Sequence, residues 1–168
     1  MQTITRFSFL LLGGAALSAA ADDPPAPPKK PNFSGRWKVD LDRSDFASLP
    51  APRSLVRTIE QDPLHLTILV ETVGRDGQQA TGELRFALDG EDSVNEVNGS
   101  RVEGFARQLG SHVLLHTSRS VEGTRFEIDE LWSLSTDGRS LLVEGEVISD
   151  LGEEELFVVL NKQEVAEP

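Results

Sequence analysis

The sequence predicts an all-β domain, an antiparallel up-and-down β-barrel of about 8–10 strands with a short helical turn between the first two. Three observations predict it. Turn dipeptides recur at Asp76-Gly77, Asp89-Gly90, Asn98-Gly99, Leu109-Gly110, Glu122-Gly123, Asp137-Gly138 and Leu151-Gly152. The runs between them are about 7–12 residues long, the spacing of a β-meander. Apolar residues alternate with polar ones inside several runs, and no useful helical period follows the N-terminal segment. Hairpin thus follows hairpin without a long crossover, and so many strands curl into a barrel rather than stay flat. Asp-Gly and Asn-Gly suit type I′ turns, whose two central residues need positive φ.

The chain opens on a targeting segment. Arg6 supplies a positive start, Phe7 to Leu17 is a short apolar run, and Ser18-Ala19-Ala20-Ala21 carries the small-x-small pattern of a cleavage site. Residues 1–21 therefore read as a signal peptide cut after Ala20 or Ala21, since a membrane-spanning helix needs about 20 apolar residues. No later stretch is long enough to span, no cysteine offers a lipid site, and no twin-arginine pair is present. Residues 22–31 form a tether in which five of ten residues are proline, an extended spacer. Residues 32–168 form the barrel domain, expected in the periplasm or outside the cell.

Strands are expected at Arg36–Leu41, Leu55–Gln61, Leu64–Val73, Thr81–Leu88, Ser93–Val97, Arg101–Gln108, His112–Ser118, Thr124–Leu134, Ser140–Ser149 and Glu154–Gln163. Leu84, Phe86 and Leu88 share one face with Glu83 and Arg85 on the other. Phe126, Ile128, Trp132 and Leu134 share another, as do Leu156, Val158 and Leu160. Between the first two strands, Asp42 or Ser44 can cap a helical turn that Pro50 and Pro52 stop. Phe46 and Leu49 then lie three apart on one side, and the segment plugs one barrel end.

The chain has no cysteine, so an exported domain must hold together by core burial. Removing residues 1–21, whose one charge is Arg6, leaves 15 basic against 28 acidic residues, a net charge of −13. Such a surface repels phosphate backbones and anionic lipid, which argues against nucleic-acid binding.

Phe33-Ser34-Gly35-Arg36-Trp37-Lys38-Val39-Asp40, followed by Ser44 and Phe46, carries a resemblance. Its Gly-x-Trp resembles the opening motif of lipocalins and other calycins. The longer pattern, with Leu131-Trp132-Ser133-Leu134, Asp137-Gly138 and a closing strand from Phe157 to Gln163, is similar to small secreted bacterial proteins described only as lipocalin-like. The resemblance implies a barrel that binds a small apolar or amphipathic molecule. Lys162 is the basic residue nearest to the arginine that lipocalins carry after the last strand.

No catalytic signature stands out. His112 and His116, four apart in one strand, lie about 13 Å from one another, too far for one metal ion. The serines lack a nucleophile-elbow context, and Glu153-Glu154-Glu155 reads as a solvated edge without calcium-loop spacing. No metal, cofactor or enzymatic activity is expected. Two charges interrupt apolar faces: Arg57 between Leu55 and Ile59, and Glu130 between Ile128 and Trp132. Facing inward, they need partners and form an interior polar site, by pairing or by holding a ligand's polar group. In a bulged strand they face water instead.

Two functions follow. A binding module would line its ligand site with Trp37, Arg57, Phe86, Glu130 and Trp132; Gly104, Ala106 and Gly145 argue for space inside. A structural or interaction protein would fill the barrel with its Leu and Val side chains and contact another envelope protein. A monomer is expected in either case.

Overall fold

The computed structural model describes residues 30–121 and 123–164; the signal peptide and all but the last two tether residues lie outside the described residues. Ten strands appear among them: β1 Gly35–Val39, β2 Ser54–Gln61, β3 His65–Val73, β4 Gln79–Ala87, β5 Ser93–Val97, β6 Ser100–Leu109, β7 His112–Val121, β8 Thr124–Leu134, β9 Ser140–Ser149 and β10 Gly152–Lys162. They form one antiparallel sheet in the order β4-β3-β2-β1-β10-β9-β8-β7-β6-β5. Strand β1 pairs with β10, Trp37 opposite Lys162, which brings the two ends of the domain together. Only the β4 and β5 edges lack a common ladder, so the up-and-down barrel is nearly closed.

The period of two sorts the side chains. At the end of the barrel holding the β2–β3, β6–β7 and β8–β9 turns, the inward rows are solid. Phe33, Trp37, Leu66, Val113, Trp132 and Leu141 are fully buried there. The Phe33 and Trp132 rings meet edge to face with centroids 6.0 Å apart, a favoured aromatic geometry. The Trp37 indole donates to the Phe33 carbonyl at 2.8 Å, and the Lys162 ammonium lies 5.3 Å from the centre of the Trp37 ring. The Gly-x-Trp motif thus closes this end.

The opposite end carries the helical turn and the plug. The turn is a 3-10 turn at Leu41–Arg43; neither Asp42 nor Ser44 starts it, and Ser44 instead ends it, its backbone N–H donating to the Leu41 carbonyl. Its start lies at Asp40, which makes no side-chain cap bond. The expected caps are lost because β10 still has backbone groups to pair. Asp45 N donates to the Phe157 carbonyl at 2.7 Å and Phe157 N returns the bond at 2.9 Å. Ser44 Oγ donates to the Asp40 carbonyl and accepts from Val159 N. The 3-10 turn is therefore a bulge in an extended β1. Phe46 and Leu49 then pack against the core from above, linked by a bond from Leu49 N to the Phe46 carbonyl.

Turn chemistry differs from the expectation at the Asp-Gly sites. Only Asn98-Gly99 has both residues at positive φ, 51° and 75°, as type I′ requires. At Asp76, Asp89 and Asp137 the carboxylate accepts from the backbone N–H two residues on. This side-chain bond builds the turn with positive φ at the glycine alone.

Candidate functional site

A cavity of about 450 Å³ occupies the open half of the barrel, between the solid end and the plug. Its walls are the inward rows of the strands, including Leu55, Val70, Leu84, Leu115 and Ile128, and Phe46 and Leu49 roof it. Arg57 on β2 and Glu130 on β8 form its floor. In sheet order these strands are separated by β1, β10 and β9, so the two side chains meet across the lumen.

The pair is bidentate: Arg57 Nη1 donates to Glu130 Oε2 at 2.9 Å and Nη2 to Oε1 at 2.8 Å. Trp132 Nε1 donates to Oε2 at 2.7 Å, and the Arg57 guanidinium carbon lies 5.5 Å from the centre of the Trp132 ring. The side chains keep 14% and 11% of their surface uncovered, while Arg57 Nε is buried without a hydrogen-bond partner. Burial acts to raise the Glu130 pKa. The Arg57 charge and the bonds from Arg57 and Trp132 outweigh it and hold the carboxyl below its ordinary value.

Of the five residues expected to line a ligand site, Arg57 and Glu130 line the cavity. Trp37, Phe86 and Trp132 do not; they belong to the buried core. Phe86 and Trp132 lie farther toward the solid end, while Trp37, opposite Arg57 in the β1–β2 register, bonds the Phe33 carbonyl there. The small residues also differ from expectation. A Cβ at Gly104 would lie 2.0 Å from the His116 carbonyl oxygen and one at Gly145 2.6 Å from that of Asp129. These glycines let neighbouring backbones approach rather than make space, and Ala106 is core.

Sequence reasoning missed Arg119, which lines the mouth. It continues the inward row Val113, Leu115, Thr117, and the signal was the period of two. The expected strand stopped at Ser118, whereas β7 runs on to Val121.

The histidines are scattered. His65 contacts Asp62 at 3.3 Å, His112 contacts Ser111 at 3.2 Å, and His116 contacts Asp129 at 2.6 Å and stacks on Phe105. No cluster of three or more metal-binding side chains occurs among the described residues. No described helix is long and apolar enough to cross a membrane.

Neither a protein-family model nor a curated protein matches the sequence. Solved structures do match the fold. Zebrafish ileal bile acid-binding protein, complexed with cholic acid, aligns at a TM-score of 0.52 and 16% identity over 78% of this chain and 98% of that one. Secretory abundant heat soluble protein 4 from Ramazzottius varieornatus aligns at 0.51 and 10% identity over 78% and 94%. These likenesses show the fold alone, an antiparallel up-and-down β-barrel. A Schistosoma mansoni fatty acid binding protein in complex with arachidonic acid aligns at 0.46 and 12% identity over 79% and 96%. With ten strands among the described residues, the barrel has two more than the eight of lipocalins. Its opening Gly-x-Trp nonetheless plays the end-closing part described above.

Proposed function

We propose that this protein is an exported binding module that holds a small apolar or amphipathic molecule in the open half of its barrel. The observation that carries this reading is the apolar cavity of about 450 Å³ with a convergent polar pair on its floor. Its size and its few placed polar groups match ligand pockets of about 300–1,000 Å³. That the structural neighbours include a protein complexed with cholic acid supports the reading. Export rests on the signal-peptide pattern of residues 1–21.

Native mass spectrometry of the protein purified gently from its source tests both parts. The expected result is a polypeptide lacking residues 1–21, with a discrete added mass that leaves on denaturation. An intact N-terminus would overturn export. A bare mass, with no binding of added apolar probes, would overturn the carrier reading. The filled end of the barrel would then favour an interaction protein of the envelope.

A further inference from the structure

The polarity of the cavity is unevenly placed. Three charged side chains line it among the described residues: Arg57, Glu130 and Arg119. On the floor, Arg57 and Glu130 neutralise each other through two parallel hydrogen bonds, and Trp132 adds a third donor to the carboxylate. Glu130 lies opposite Leu115 in the β7–β8 register. Arg119 is four residues farther along β7, about 13 Å toward the mouth, and its side chain is exposed.

A carboxylate that reached the floor would therefore find its only cation already compensated, with the Glu130 carboxylate beside it. It would add an unpaired negative charge to a nearly dry site, where such charges are costly and like charges repel strongly. An uncharged oxygen meets a different surface. The pair still offers guanidinium N–H groups and carboxylate lone pairs through its uncovered area. A hydroxyl can use both kinds of partner and a carbonyl the first, with no charge to desolvate. The acidic surface of the whole chain, net −12, works in the same direction.

Building on the carrier reading above, we propose that the floor of the cavity selects an uncharged hydroxyl- or carbonyl-bearing ligand and rejects a carboxylate. The test compares dodecanol with dodecanoate, which share a chain and differ in the head group, by calorimetric titration at neutral pH. The native protein should bind dodecanol at least about tenfold tighter, the equivalent of about 1.4 kcal/mol. Glu130→Gln, which leaves the Arg57 charge uncompensated, should reverse the preference. The double variant Arg57→Gln, Glu130→Gln, neutral again, should restore it.

A second measurement needs only the native protein: dodecanoate affinity should rise as pH falls toward the ligand's own pKa, because the neutral acid is the form that fits. Tighter binding of dodecanoate by the native protein, or affinity falling with pH, would overturn the proposal while leaving the carrier reading intact. Failure of the folded native protein to bind either probe would overturn both.

Discussion

At the residue scale the molecule turns on a buried ion pair. Breaking such a pair by removing one partner costs about 3–5 kcal/mol, because the other charge stays buried alone. Arg57→Met and Glu130→Leu should each lower urea stability by about that amount, and the double variant should recover most of it. The pH dependence has a definite sign. Glu130 has a folded-state pKa below its unfolded one, so the pair's contribution is present above the unfolded value and is lost as pH falls through the folded one. The native protein should therefore lose stability below about pH 4.5, and Glu130→Gln, weaker at neutral pH, should show a flatter acid limb; parallel acid limbs would contradict the assignment. Both residues were legible in the sequence as charges on apolar faces. Their direct pairing was one of the arrangements the sequence left open; it could not be chosen locally, because 73 residues and three intervening strands separate them.

At the element scale the telling feature is the seam between β4 and β5. Elsewhere consecutive strands share a backbone ladder; here a side chain replaces it. Arg85 N donates to Asn95 Oδ1 at 2.8 Å, and Asn95 Nδ2 donates to the Arg85 carbonyl at 3.2 Å. Val97 covers Gly82, where a Cβ would come within 2.3 Å of Val97 Cγ1. Toward the solid end the chain after β4 crosses to β6, with Gly90 N donating to the Ala106 carbonyl and Gln108 N to that of Leu88. Two partly exposed hydrogen bonds on one side chain contribute about 1 kcal/mol. Asn95→Ala should cost roughly that and speed amide exchange at Arg85 while leaving the β8–β9 amides unchanged. Equal exchange in the two proteins would mean that the seam is held by packing alone. Meander order made the eight ladders between consecutive strands legible, and it also predicts one here that the sheet lacks. An asparagine in a strand gives no sign that its amide stands in for a backbone partner.

For the whole molecule, the choice between a hollow and a filled barrel resolves by level. The barrel is solid from Trp37 and Trp132 to the Arg57–Glu130 pair and open from the pair to the plug. Stability and binding then rest on different halves. Val70 lines the cavity and lies opposite Arg57 in the β2–β3 register, at the edge of the core it packs against, so Val70→Phe should fill space on the cavity side. A cavity-filling change of this kind adds about 0.5–2 kcal/mol. The variant should melt at a higher temperature and bind an apolar probe more weakly; unchanged binding would place the ligand elsewhere.

The sequence by itself determined the all-β class, a count of about 8–10 strands, their meander order and the apolar face of the clearly alternating ones. All of these follow from local signals: turn residues and a period of two that any half-buried strand must obey. Only the tertiary structure decided how deep each inward residue lies, which charges meet across the lumen, and where the barrel is hollow. Depth depends on how strands from distant parts of the chain are staggered against one another. Trp132 and Glu130 are equally inward by period, yet two residues along β8 separate packed core from cavity floor. Stagger is set by the closure of the whole sheet, and no short stretch of sequence carries it.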